Sequence, residues 1–444
     1  MGLDVAATGE WSGTWAEAEA RLSRALAQWQ RAVDPAPLEG GWLSDGGEPI
    51  AWIELGPADP LVVTLRDGQL QVEARTSPWG PGYHQRVVAA LDALGASLPG
   101  GWSEVKDDTG FFASREVPAL ERAFLAWALR LWSTGEERAL DGAAVCLGHG
   151  EGPVEVPSGQ VATPLGFRSL EWVARTRLAL AGALEDGDGE VRGDAAARGT
   201  FLWWCPEPDA FDWVQLGQAI CASEVIWRPL PRGPDPADEA RRRALHCFQR
   251  ALALDPTAPV PGPEVARLWR LLGDAAQAQA WSARAQGSFR GGYREGWIRW
   301  PVGERWSVEL PGWLRAGVDA DDGHDVFWDD ALTVHVSALP PAREPGFSAA
   351  EEALLHLGRL GPEERERARV ERFDGEDVAG YALVLGYGPE APELASLIQG
   401  QVGGAEGRVS FTCALRAGAS PAVALRLARS MRPLAAHVHE LRTR

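Results

Sequence analysis

The spacing of apolar residues predicts a helix followed by strands at the start of the chain. Trp, Ala and Leu recur at steps of three and four over 14–33, which predicts an amphipathic helix. Thr14 and Glu17 have the spacing of a capping box at its start. Alternating apolar residues flank Asp67 and Gly68, so a β-hairpin is expected over 61–75, and 50–55 is predicted as a further strand.

Two more helices are predicted before residue 136. Val87, Val88, Leu91 and Leu94 share one face of the first helix, and the second covers 118–132. Strands followed by helices are typical of an α+β domain, because the helices cover one face of the sheet. The sequence therefore predicts an N-terminal α+β domain over 1–136.

The middle of the chain is predicted to be mixed over 137–228 and to contain a linker and helices over 229–296. The linker is the proline-rich segment 229–236. Segments 244–256 (ALHCFQRALALDP) and 271–278 (LLGDAAQA) resemble the second helix of a tetratricopeptide repeat and the start of the next unit. The resemblance implies paired helices, and two or three helices packed beside another domain are the alternative.

The last region, 297–444, alternates between strand and helix patterns. Hairpins are predicted over 325–337, with a turn at Asp329 and Asp330, and around Gly403 and Gly404. Helices are expected over 349–360 and 421–431. With the early motif LPGW and the closing segment FTCALRAGASPAVALRLARSMRPL, this order resembles the PsbP-like fold. DcrB-type bacterial proteins and the effector-associated chaperones of type VI secretion share that fold. The resemblance implies an α+β domain with an antiparallel sheet, so the whole chain is predicted to be multi-domain α+β.

The charge of the chain favours protein partners over nucleic acid. The formal net charge is −19, which repels phosphate backbones and anionic membrane surfaces and favours encounter with basic partners. No run approaches the about 20 apolar residues that span a bilayer, and the first residues lack the pattern of a signal peptide. The five cysteines are scattered without a CxxC pair. We therefore expect a cytoplasmic protein without membrane insertion.

Tryptophan is frequent, with 21 residues against 12 phenylalanines and 4 tyrosines. Lys106 is the only lysine, so almost every basic residue is arginine. Drift in a GC-rich genome explains both features. Selection for an interface is the alternative, because tryptophan is enriched where proteins bind each other.

Known catalytic and metal-binding patterns are missing from the sequence. Cys146 and His149 lack the second ligand pair of a structural zinc site, and no nucleophile elbow or phosphate-binding loop is present. No cofactor or metal is predicted. One cluster combines a rigid Pro/Gly loop with chemically useful side chains, and it is either a ligand site or a structural turn. Its residues are Trp79, Tyr83, His84 and Asp108.

These patterns favour a non-catalytic protein-interaction, adaptor or chaperone-like component of a bacterial cytoplasmic system. Its binding surfaces are expected on the exposed faces of 237–286 and of the C-terminal sheet. An enzyme with its site near His84 and Asp108 is the first alternative. A toxin-neutralising or defence-associated protein is the second, since an acidic chain suits occlusion of a basic partner.

Overall fold

The computed structural model describes most of the chain in segments. They are 3–33, 42–44, 49–55, 60–140, 156, 159–185, 199–228, 236–283, 292–303, 305–319, 323–339, 348–375, 378–387, 394–405, 407–416 and 419–433. The predicted linker 229–236 lies outside these segments except for its last residue, as do Cys146 and His149.

An antiparallel six-stranded sheet forms the N-terminal part of the fold. Its strands are β1 (Asp4–Glu10), β2 (Trp42–Ser44), β3 (Ile50–Ile53), β4 (Leu61–Arg66), β5 (Gln69–Arg75) and β6 (Glu104–Asp107). They lie in the order β2-β3-β4-β5-β1-β6. Two helices, α1 (Trp15–Val33) and α2 (Pro81–Ser97), pack on one face and bury its apolar side chains.

Local sequence signals place two of these elements. Asp67 and Gly68 both have left-handed φ angles, 50° and 75°, as the two central residues of a type I′ turn require. The predicted hairpin over 61–75 is therefore confirmed. At the start of α1, the Thr14 amide donates to Glu17 Oε2 at 2.8 Å and the Glu17 amide donates to Thr14 Oγ1 at 3.3 Å. The predicted capping box is confirmed as well.

A mainly helical layer follows the sheet. Its elements are α3 (Phe111–Ser114), α4 (Val117–Leu140), the hairpin β7 (Gln160–Thr163) and β8 (Gly166–Ser169), α5 (Leu170–Glu185), α6 (Ala210–Ser223), α7 (Pro236–Leu254), α8 (Gly262–Leu271) and α9 (Ala275–Ser282). Gly273 has φ 83° and ends α8, and Asp274 caps α9 through the Gln277 amide. The segment 271–278 is therefore the turn between two helices.

The first hydrophobic core crosses the predicted domain boundaries at 137 and 229. It contains Val72 and Leu91 beside the sheet, together with Trp213 in α6, Phe248 in α7 and Leu268 in α8. A second core joins α4 and α5 to 201–204. The N-terminal sheet therefore shares its core with α6 to α9, whereas α4 and α5 contribute mainly to the second core.

The C-terminal part contains two antiparallel sheets. Its elements are β9 (Trp297–Val302), β10 (Trp306–Pro311), β11 (Arg315–Val318), β12 (Asp325–Trp328), β13 (Leu332–Leu339), α10 (Ala349–Arg359), α11 (Pro362–Arg367), β14 (Ala368–Asp374), β15 (Val378–Gly386), β16 (Ser396–Gly404), β17 (Gly407–Leu415), α12 (Pro421–Ser430) and β18 (Arg432–Pro433). The larger sheet has the order β11-β12-β13-β17-β16-β15-β14, and the smaller has the order β18-β10-β9. The smaller sheet and α12 pack on one face of the larger sheet and enclose a separate core. The prediction of mixed α and β structure with antiparallel sheets is confirmed.

A short segment after α9 attaches the C-terminal part to the rest. The Tyr293 hydroxyl donates to the Thr163 carbonyl at 2.6 Å and accepts from the Thr163 amide at 2.9 Å. The Arg294 guanidinium donates to the carbonyls of Gly312 and Leu314 at 2.9 and 2.6 Å. Tyr293 hydrogen-bonds to the N-terminal part and Arg294 to the C-terminal part, so we call these two residues the junction.

Within the described segments, no helix is both long enough and apolar enough to cross a membrane.

Candidate functional site

The predicted site residues do not form one surface cluster. Trp79, Tyr83 and His84 are buried, with exposed fractions of 4%, 0% and 0%. The Tyr83 ring lies 6.1 Å from the Trp79 ring and 5.4 Å from the Trp203 ring, between centroids. Asp108 is exposed, and its carboxylate accepts from the Asp4 amide at 3.2 Å.

Close backbone packing explains why this Pro/Gly loop is rich in glycine. Gly80 has φ 119°, and a Cβ there would lie 2.5 Å from the Trp203 carbonyl oxygen. A Cβ on Gly82 would collide with the Cys205 backbone. Only glycine lets the start of α2 approach 203–205 this closely. The loop therefore fixes the packing of α2 and does not display its aromatic residues to solvent.

His84 lies at the centre of a buried hydrogen-bond network. Its Nδ1 is 2.9 Å from Thr76 Oγ1, and its Nε2 is 3.2 Å from Thr109 Oγ1 and 3.3 Å from Asp107 Oδ1. The Asp107 side chain is 4% exposed. We call His84, Thr76, Asp107 and Thr109 the His84 network.

The Asp107 carboxylate is stabilised in its charged form. It accepts hydrogen bonds from the Phe112 amide at 2.6 Å and from the Thr109 hydroxyl at 2.7 Å. Burial opposes ionisation, but the hydrogen bonds from His84, Phe112 and Thr109 outweigh it and hold the pKa of Asp107 below its ordinary value. Asp107 is therefore a charged group inside the fold.

The sequence interpretation named Asp108 and missed its neighbour Asp107. The alternation of side chains along a strand would have identified Asp107. In β6, Glu104 and Lys106 are exposed, so 105 and 107 point to the opposite side. The carboxylate that reaches His84 had to come from the inward-facing position.

A second histidine lies in α10, on the side of the helix that packs against the larger C-terminal sheet. His356 Nδ1 is 3.3 Å from the Tyr381 hydroxyl, and Gln399 hydrogen-bonds the same imidazole. Burial, with Arg359 adding to it, lowers the pKa of His356 below its ordinary value. Burial is also the main cause that raises the pKa of Tyr381 to about 12. Both side chains are therefore neutral at neutral pH.

Three potential metal ligands lie together at the start of α6. The ligand atoms of Cys205, Asp209 and Asp212 are within 4.8 Å of one another. Asp209 caps the helix through two backbone amides, and Asp212 accepts from the amides of Trp204 and Cys205 at 3.2 and 3.1 Å. A helix N-terminus favours anions, so capping accounts for Asp209, and the amides of the preceding loop account for Asp212. The sequence interpretation had expected Cys205 to be a core thiol, and it is only partly buried.

A row of apolar side chains crosses the face of the N-terminal sheet opposite α1 and α2, on which no helix of the described residues packs extensively. Leu43 pairs with Trp52 and Trp52 pairs with Val62 across three adjacent strands, and all three point away from α1 and α2. Leu43 is 51% exposed, while Trp52 and Val62 are half-buried. Ile50 lies on the same face, two residues from Trp52. We call Leu43, Ile50, Trp52 and Val62 the β2–β4 patch.

The larger C-terminal sheet is covered on its second face by α10 over β14 to β16. Over β12, β13 and β17, the outward side chains are half-buried and mostly polar, and no described helix packs extensively on them. They are Val326, Trp328, Thr333, His335, Ser337, Ser410, Thr412 and Ala414. Within the described part of the chain, no helix covers this half of the sheet face, so it is available to a partner protein.

The other predicted binding surface, 237–286, exposes smaller side chains. The solvent-facing positions of α9 are mostly alanine and glutamine, including Ala275, Gln277 and Gln279. One face of α7 is buried against α6.

Many tryptophans are paired with arginine. The Arg86 guanidinium lies between two indoles, 5.5 Å from the Trp29 ring and 5.6 Å from the Trp203 ring. Arg267 lies 4.8 Å from the Trp227 ring and Arg228 lies 4.8 Å from the Trp313 ring. Cation–π contact of this kind favours arginine over lysine. These packing contacts therefore give a physical reason for the high number of tryptophans and for the preference for arginine over lysine.

No protein-family model matches this chain, and no curated protein sequence is significantly similar to it. The tetratricopeptide-like and PsbP-like resemblances therefore stay predictions.

Proposed function

We propose that the protein is a non-catalytic binding component, an adaptor or chaperone-like protein that holds another protein on its sheet faces. The β2–β4 patch is the observation that carries this proposal. A contiguous row of one exposed Leu and half-buried Trp and Val on a sheet face is unusual on a surface that meets only water. Tryptophan at the centre of such a row is the residue type that most often dominates binding energy.

Charge at the patch supports a basic partner. Val62 pairs with Glu73 on the next strand, so an exposed carboxylate borders the apolar row. The whole chain carries a net charge of −19. An apolar centre with an acidic border favours a partner that presents an apolar surface beside arginine or lysine.

The chemistry around His84 gives less support to the enzyme alternative. Substrate would have to reach a histidine whose exposed fraction is 0%. A small cleft beside α4 and α5 is lined by Trp132, Thr163 and Trp172 among others, and contains none of the four predicted site residues. A catalytic base needs contact with its substrate, so a buried histidine with filled hydrogen bonds favours a structural role.

The test replaces Trp52 by Ser and measures partner capture at native expression. Proteins cross-linked to the tagged chain are quantified for wild type, Trp52→Ser and the matched control Gln71→Ser, which lies on the polar part of the same face. Loss of a central aromatic anchor should reduce capture at least about tenfold. The control should retain it.

Two outcomes would contradict the proposal. One is that wild type captures no partner above a tag-only background. The other is that Trp52→Ser and Gln71→Ser capture the same proteins in the same amounts. Circular dichroism of both variants checks that any loss of capture is not a loss of folding.

A further inference from the structure

The outer face of the N-terminal sheet changes from apolar to acidic along β3. Ile50, Trp52 and Glu54 alternate with buried residues, so all three side chains lie on this face. Leu43 and Val62 lie on either side of Trp52, on the two neighbouring strands. Successive side chains on one face of a strand are about 6.8 Å apart, so a carboxylate follows the centre of the β2–β4 patch by about that distance.

A second carboxylate borders the patch from the side. Val62 pairs with Glu73 of β5, which is exposed. Among the described residues, no cation forms an ion pair with Glu54 or Glu73. By contrast, Glu104 Oε1 on the same face lies 3.6 Å from Lys106 Nζ. Two carboxylates without a cation at the edge of an apolar surface favour a cationic group on the molecule that packs there.

The width of the apolar row matches one helix. Leu43 and Val62 lie two inter-strand spacings apart, about 10 Å, and a helix with its side chains is about 10–12 Å wide. A partner strand forms its hydrogen bonds at the edge of a sheet, whereas a segment on the face must satisfy its own backbone groups. A helix satisfies them internally. A second sheet would need a wider apolar face, because this row ends at Glu73.

We propose that the β2–β4 patch binds one basic amphipathic helix of a partner protein, with the helix axis along β3. This inference rests on the proposed function and specifies the partner. A helix rises about 1.5 Å per residue, so the distance from Trp52 to Glu54 corresponds to about 4–5 helical residues. An apolar residue over Trp52 is therefore followed one turn later by arginine or lysine over Glu54. A further cation on the side of β5 reaches Glu73.

Designed peptides test the shape and the charge of this ligand. The first is a helix of about five turns, with leucine at steps of three and four and arginine one turn after the central leucine and on one flank. The second has the same composition in strict alternation, and the third has glutamate in place of arginine. Fluorescence anisotropy of labelled peptide measures binding to the full chain. The basic helical peptide should bind at least about tenfold more tightly than the other two. No binding by it, or equal binding by either of the others, would overturn the proposal.

Neutralising the two bordering carboxylates tests the position of the helix. Glu54→Gln combined with Glu73→Gln should weaken binding of the basic helical peptide about three- to tenfold and reduce its dependence on salt. The matched control combines Glu10→Gln with Glu104→Gln, which removes the same charge from exposed positions on β1 and β6. The control should retain binding. Equal weakening by both pairs would mean that net charge attracts the peptide, and would refute the proposed position.

The outcomes separate this inference from the proposed function. If Trp52→Ser abolishes partner capture but the helical peptide does not bind wild type, the function stands and the helix is wrong. If Trp52→Ser changes neither capture nor peptide binding, both are wrong. Sedimentation of wild type and Trp52→Ser tests another occupant. Self-association that the substitution abolishes would assign the patch to a second copy of the chain and overturn the helix.

Discussion

His84 and His356 both lie between a sheet and a helix, yet different kinds of group contact their ring nitrogens. His84 contacts two threonine hydroxyls and a carboxylate whose pKa is held below its ordinary value. His356 faces a neutral tyrosine and an amide, with Arg359 nearby, and its pKa is lowered. The comparison teaches that two histidines packed between a helix and a sheet can differ in their direct partners. A charged carboxylate contacts the first ring, and a neutral hydroxyl contacts the second.

Access to water is the second difference between the two sites. The side chains of His84 and Asp107 are 0% and 4% exposed. At the His356 site, the ion pair of Glu352 and Arg408 is 29% and 25% exposed, with 3.0 Å between the charged atoms. Water can hydrogen-bond a group that has lost its partner only at the second site. The same substitution should therefore lower the free energy of unfolding more at the His84 site than at the His356 site.

The largest expected difference follows from removing one carboxylate at each site. Asp107→Ala should lower the free energy of unfolding by about 3–5 kcal/mol, because it leaves a buried group without its charged partner. The matched change Glu352→Ala should cost about 0–1 kcal/mol, since its ion pair is partly hydrated. Urea unfolding, monitored through hydrogen exchange of the backbone amides of α2 and α10, measures both losses of unfolding free energy. Equal losses of unfolding free energy would show that access to water does not distinguish the two sites.

A smaller difference is expected for one hydroxyl at each site. Thr76→Val removes the group between the Leu3 carbonyl and His84, and should cost about 1–3 kcal/mol because both partners stay buried. Tyr381→Phe removes the hydroxyl beside His356 and should cost about 0.5–1.5 kcal/mol. Both changes nearly preserve side-chain volume. If Tyr381→Phe costs more in urea unfolding than Thr76→Val, water does not compensate at the second site.

The smallest expected effect is the acid response of His356. The folded chain favours its neutral form, so the unfolded chain takes up the proton first as pH falls from about 7 to 5. Stability should therefore decrease over that range, by less than about 1 kcal/mol from this group, because solvent screens a side chain that is only partly buried. His356→Gln should flatten that part of the profile. An unchanged slope would mean that His356 is not the group responsible.

Local signals in the sequence predicted some elements well and others not at all. The hairpin at Asp67 and Gly68 and the capping box of α1 depend on neighbouring residues, and both are confirmed. The central strand β1 was missed. Its sequence DVAATGE offers mainly Val5 and Ala7 to the core, which is little apolar area. Pairing with β5 and β6, rather than its own pattern, makes it a strand.

The candidate site and the binding surface were predictable to different degrees. Trp79, Tyr83 and His84 lie close together around the start of α2, but the sequence did not indicate that 201–204 would cover them. The β2–β4 patch was not predicted. Alternation shows which residues share a face of a strand, but it cannot show which face lacks a covering helix. That information exists only in the tertiary packing.

The junction also constrains how a large partner could be held. Tyr293 bonds twice to Thr163, and Arg294 bonds to two carbonyls of the C-terminal part, so the chain is anchored on both sides of one peptide bond. Four hydrogen bonds at two adjacent residues limit the conformational freedom of this connection. A ligand that touched both the β2–β4 patch and the half-open C-terminal sheet would therefore meet these two surfaces over a restricted range of spacings.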